Sequence, residues 1–172
     1  MDLQTLANMA EVLGALTIVG GGGFALVQLR EFRAQRRQAV AVELTRSFYS
    51  PDFSRAVELV RGLPDDCSAQ ELRAGGPELQ RAAIEVTTTF ESIGLIVYRE
   101  MASYDLVRDL AGGIALVCWR KLERWTDVYR AEQMQPSWGE WFQWLALQLE
   151  RDSGEKEARP AYVRHAGWRP RS

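Results

Sequence analysis

The sequence predicts an all-α protein: a long amino-terminal helix, apolar enough to enter a membrane, that continues into a small antiparallel helical bundle. Three observations carry that expectation. Residues Val12 to Leu29 contain no ionisable side chain, two later segments repeat apolar residues at steps of three and four, and no segment sustains the period-two alternation of a half-buried strand. The chain has 172 residues, about one domain's worth. Its composition, 47% hydrophobic and 26% charged, excludes a wholly disordered chain.

The first element spans residues 1–29. Eighteen uncharged residues from Val12 to Leu29 reach about 27 Å as a helix, just enough for a hydrocarbon core. The run includes IVGGGGFALV, and four glycines disfavour a surface helix. In lipid the backbone must satisfy its own hydrogen bonds, so glycine stays helical there more readily. Asp2 and Glu11 precede the run, while Arg30, Arg33, Arg36 and Arg37 follow it. That asymmetry predicts an amino terminus outside and the bulk of the chain in the cytoplasm of a bacterial inner membrane, anchored by a single pass. A cleaved signal would carry its positive charges in front.

The glycines do not form a nucleotide loop, because no Gly-Lys-Ser/Thr follows them and Phe24, Ala25 and Leu26 supply no G-x-G-x-x-G. Ala10, Gly14, Thr17, Gly21 and Ala25 share one helix face and permit close approach of a second helix. Homo-oligomerisation through this stripe and a monomeric anchor with incidental glycines both remain open. So does a helix buried in a soluble protein.

Residues 30–49 read as a basic juxtamembrane helix. Its arginines attract anionic lipid at about 1 kcal/mol each, which makes membrane lipid the first expected partner. Residues 50–151 form the expected cytoplasmic bundle. Ser50, Pro51 and Asp52 mark a helix start with a hydroxyl cap, and Gly62 and Pro64 its end. Ser68 with Glu71 forms a capping box for a brief helix. Pro77 opens a long helix with the stripe Leu79, Ala83, Val86, Phe90, Ile93, Val97 and Met101. After a turn near Ser103, Leu106, Leu110, Ile114, Cys118, Leu122, Trp125 and Tyr129 predict the core face of a second long helix. Ser137 and Glu140 resemble another capping box, launching a last helix with Trp138, Trp141, Phe142, Leu145 and Leu149 inward. Residues 152–172 read as a loosely ordered basic tail.

Chemistry is hard to find. The net charge of −2 supplies no field for nucleic acid, and no recognition helix is legible, so nucleic acid is not an expected partner. Only Cys67 and Cys118 are present, and the single histidine, His165, lies in the tail, which leaves no zinc, di-iron or triad pattern. No catalytic residue, metal ligand or cofactor site is assigned. Glu85 and Glu91 lie on the first long helix and Asp105 and Asp109 at the start of the second, and of these Glu91, set between Phe90 and Ile93, is the candidate for a buried polar site. It reads either as a member of a polar pocket with Gly94, Gly113 and Arg120, or as an edge carboxylate paired with Arg120 or Arg124. The glycines Gly94, Gly112 and Gly113 are costly inside helices and point to close helix contact or to a local break near a small pocket. Basic residues are nearly all arginine, which together with abundant alanine fits a GC-rich bacterial genome.

The stretches SPDFSRAVELVRGLP at 50–64, TFESIGLIV at 89–97, AGGIALVCWRKL at 111–122 and PSWGEWFQWLA at 136–146 resemble those of a bacterial family of membrane-anchored helical proteins known only as a domain of unknown function. The resemblance runs to about Leu149. It implies the anchor and the helical architecture and transfers no catalytic residue. A non-enzymatic interaction module with an unidentified protein partner, or with a second copy of itself, is the leading expectation. The rivals are a membrane-tethered ligand sensor or enzyme using the Glu91–Arg120 pocket, and a soluble helical oligomer in which the glycine run packs on a neighbour.

Overall fold

The computed structural model describes residues 20–25, 27–28, 46, 48, 50–155 and 161–169. Its compact units are residues 1–42 and 43–172. In the first unit, Gly20 to Ala25 are helical and exposed. Ala10, Gly14, Thr17 and the arginines 30, 33, 36 and 37 lie outside the described residues, as does most of the Val12–Leu29 run. Among the described residues no helix is long and apolar enough to cross a membrane.

The second unit is helical throughout its regular elements: α1 (Pro51–Arg61), α2 (Ala69–Ala74), α3 (Pro77–Tyr98), α4 (Tyr104–Glu132), α5 (Glu140–Glu155) and α6 (Ala161–Arg164). Three long helices make its body. Helix α4 returns along α3 after a five-residue turn, and α5 runs antiparallel to α4. Trp119 of α4 meets Phe142 with ring centroids 5.1 Å apart, and Gly112 sits under Leu149. Helix α5 is therefore parallel to α3, with Phe90 stacked on Phe142 at 4.9 Å and Tyr98 against Trp141 at 4.5 Å.

Local signals explain the boundaries. Pro51 and Pro77 each open a helix, where a missing amide hydrogen costs nothing. Ser68 and Glu71 form the expected reciprocal box at α2. The hydroxyl of Ser50, expected to cap α1, makes no such bond. The backbone carbonyl of Ser50 instead accepts from the amide of Ser54 at 3.0 Å. At the far end α5 continues to Glu155, past the expected tail boundary. Arg108 of α4 ties its last turns through Asp152 at 3.2 Å.

Helix α1 lies on α3 through Phe53, whose ring meets Phe90 edge-on at 5.8 Å, with Phe48 joining at 5.7 Å. The α1–α2 loop is strapped to α4. The Lys121 ammonium donates to the Leu63 carbonyl and pairs with Asp65 at 3.1 Å, and the Asp66 amide donates to the Arg120 carbonyl at 2.8 Å. Val86, Phe90, Ile93 and Val97 fill the core as their spacing predicts, whereas Met101, beyond the end of α3, is exposed.

The first half of α4 departs from the expected stripe. Leu110 and Ile114 are 44% and 37% exposed, and the buried face there is Val107, Ala111, Gly112 and Ala115. Small side chains let α5 approach closely on that side, so the helix buries its small residues and turns its leucines outward.

Thr126 is fully buried and its hydroxyl has no hydrogen-bond partner. Replacing it with valine keeps the shape and removes an unsatisfied donor, so Thr126→Val should raise unfolding stability by about 1 kcal/mol. Urea denaturation of the two proteins is the measurement, with a higher midpoint expected for the variant.

Candidate functional site

The amino-terminal end of α5 has exposed backbone donors, as every helix start does. Here they are met from another helix. One carboxylate oxygen of Glu91, on α3, accepts from the amides of Trp141 and Phe142 at 2.9 and 3.0 Å. The expected capping pair contributes only a backbone bond, from the amide of Glu140 to the carbonyl of Ser137 at 3.2 Å. A negative charge at this end is also favoured by the helix dipole. Glu91 is therefore neither an arginine-paired edge residue nor a pocket carboxylate. It is the long-range cap of α5.

Gly94, one turn further along α3, makes the close approach possible. A Cβ built there would run into the carbonyl carbon and oxygen of Trp141 and press on its Cβ. The turn ahead of α5 is shaped by a second glycine. Gly139 has φ +71°, and a Cβ on it would come within 3.2 and 3.3 Å of the Thr87 and Thr126 methyls. Arg130 of α4 clamps the same turn, its Nε donating to the Trp138 carbonyl at 2.7 Å and its guanidinium to Gln143 at 3.0 Å. Trp138 then packs against Tyr129 with the rings tilted by 38° and centroids 4.4 Å apart.

The four residues expected to line one pocket divide into two places. Glu91 and Gly94 come together at the α5 start. Gly113 and Arg120 lie on the exposed side of α4: a Cβ at Gly113 would meet nothing within 4 Å, and Arg120 faces Glu150 at 3.9 Å. A groove of about 350 Å³ does exist, but between α1 and α3, lined by Asp52, Arg55, Glu78, Arg81 and Glu85 among others. Arg55 bridges it to Glu78 with Nε donating at 2.8 Å. Among the described residues, no three of the histidine, cysteine, aspartate and glutamate side chains are grouped as a metal site would need. Of the anchor stripe, Gly21 and Ala25 are helical and exposed.

A family model described as a domain of unknown function, DUF4760, matches residues 15–149. The chain belongs to that family. No curated protein and no solved structure matches it. The DUF4760 span takes in α1 to α4 and the part of α5 that Glu91, Gly94 and Gly112 hold. It ends at Leu149, the residue seated on Gly112, so the Arg108–Asp152 tie lies just past it.

Burial sets the electrostatics of this DUF4760 seam. Desolvation pushes the Glu91 carboxyl above its ordinary value, with Glu140 adding to the rise, while the Phe142 and Trp141 amides and Arg130 oppose it. A carboxyl whose folded pKa exceeds its unfolded value favours folding when protonated. That contribution is fully present below about pH 4.5 and is lost as pH rises through the folded pKa. Glu91→Gln keeps an acceptor and removes the titration. Its stability relative to the parent should therefore rise as pH increases through that window, and pH-resolved urea denaturation reads it directly. The signal missed from sequence was the partner: nothing local to Phe90–Ile93 announces that its acceptor serves a helix fifty residues on.

Proposed function

We infer that the chain is a single-pass membrane protein of the bacterial inner membrane whose helical body is a non-enzymatic interaction module on the cytoplasmic side. The observation that carries this reading is the uncharged run Val12–Leu29 with Arg30, Arg33, Arg36 and Arg37 on one side only. The juxtamembrane arginines would hold the body close to anionic lipid, their first partner. The body itself supports the module reading. Glu91, beside the core stripe, spends its acceptor on helix α5, and the space a side chain would take at Gly94 is filled by Trp141 backbone.

The competing reading, a tethered sensor or enzyme, needs Glu91, Gly94, Gly113 and Arg120 around one concavity. Their separation into an inward pair and an exposed pair favours the module. Protease added to intact spheroplasts tests the topology. Residues 43–172 should survive until the membrane is lysed; digestion before lysis would overturn the orientation.

A further inference from the structure

Helix α4 carries a second seam besides its buried one. Leu106, Leu110, Gly113, Val117, Arg120 and Arg124 follow one another at alternating steps of four and three, the repeat by which one helix lies along another. Leu110 is 44% and Val117 37% exposed, Ile114 flanks them at 37%, and Arg120 and Arg124 are exposed. Gly113 sits at the middle of this face with open space where its Cβ would be. A glycine costs about 1 kcal/mol inside a helix. Gly94 and Gly112 recover that through contacts within the chain; Gly113 has none there.

The charge order along the seam selects the occupant. Its amino-terminal half carries leucine at the seam, flanked by Arg108 and Asp109, and its carboxyl-terminal half carries arginine at the seam after Val117, flanked by Glu123. Against a parallel copy, Arg120 would lie on Arg120 and Arg124 on Arg124. Against an antiparallel copy centred near Ala115, Gly113 faces Val117, Leu110 faces Arg120 and Leu106 faces Arg124. The arginine stems then cover the leucines, and the Arg120 guanidinium, which faces Glu150 of its own chain at 3.9 Å, comes level with the Arg108–Asp109 pair of the other copy. The twofold axis makes that approach twice.

The geometry points to a second copy of this chain, docked antiparallel through the α4 face Leu106–Arg124, as the partner of this module. This deepens the membrane-anchored reading and rests on it. The seam is about 27 Å long and narrow, well short of the ~800 Å² per partner of a stable soluble complex. Pairing is thus weak in dilute solution and strong where chains share one membrane surface, which raises their effective concentration.

Single cysteines decide the matter in the full chain. The native thiols do not interfere: Cys67 and Cys118 are buried, and burial pushes the Cys118 thiol up to about 11. Differently tagged Leu106→Cys and Arg124→Cys chains, co-expressed and treated in membranes with a short bis-maleimide, should give the mixed 106–124 adduct. They should give almost no 106–106 adduct, because those positions stand about 27 Å apart along the antiparallel axis. Adding Gly113→Arg should leave the circular dichroism unchanged and cut the mixed adduct by about tenfold or more. A dominant 106–106 adduct, an adduct only to some other protein, or no adduct from membrane-bound chain would each overturn the pairing. Recovery of the chain in the soluble fraction would overturn the anchor alone. Absence of the mixed adduct from that purified protein at high concentration would then overturn the pairing too.

Discussion

In Gly94→Leu, α5 loses its seat on α3 and the melting temperature falls by about 4–12 °C. The reasoning is steric. The added Cβ alone would overlap the Trp141 backbone, and backbone cannot turn aside as a flexible side chain can. Overpacking a core usually costs about 1–3 kcal/mol, occasionally more, and a clash against main chain belongs at the upper end. The gain in helix propensity on replacing glycine returns about 1 kcal/mol of this. At roughly 2–4 °C per kcal/mol for a chain of this size, a net loss of about 2–3 kcal/mol gives a fall of about 4–12 °C. Gly113→Leu is the matched control, because its Cβ meets open space; its melting temperature should hold or rise. Thermal denaturation followed by circular dichroism measures both. Equal shifts at the two glycines would mean that α5 is not seated on Gly94.

Phe90→Ala should lower unfolding stability by about 3–5 kcal/mol. Phe90 is fully buried and joins three segments, stacking on Phe142 of α5 at 4.9 Å, meeting Phe53 of α1 at 5.8 Å and Phe48 at 6.4 Å. No neighbouring side chain is free to collapse into the space, since the rings around it are held by separate elements. Domains have only about 5–15 kcal/mol in all, so the variant should be close to unfolded at modest urea. The expected result is a much lower midpoint with little change in the slope; a midpoint within experimental error of the parent would contradict the packing described.

How much of this was legible in the sequence depended on the kind of signal. Pro51, Pro77 and the Ser68–Glu71 box act within one turn of chain, and the helices begin where those residues place them. The α3 stripe was legible because its buried positions are large: Val86, Phe90, Ile93 and Val97. In α4, Cys118, Leu122 and Trp125 are buried as expected, but Leu110 and Ile114 are not. Periodicity weighs large apolar residues, whereas the crossing with α5 is made by Ala111, Gly112 and Ala115, whose value is their small size. The role of Glu91 could not be read locally at all. Its two donors belong to Trp141 and Phe142, and only the parallel placement of α5 on α3 brings them within reach. Gly94 and Gly113 look alike in sequence, and the structure separates them: one is packed against backbone and the other is open.

That separation links the fold to the proposed function. The body closes on itself through Glu91, Gly94 and Gly112, leaving the outer face of α4 for association. In the proposed function, the uncharged run and its arginines would supply the membrane surface on which such a weak seam becomes effective. The proposed function depends on the anchor. Membranes prepared from cells making the full chain, washed with alkaline carbonate and pelleted, test it most directly. The expected result is retention of the protein in the pellet and its release by detergent. Recovery in the carbonate supernatant, or in the soluble fraction before any wash, would contradict it.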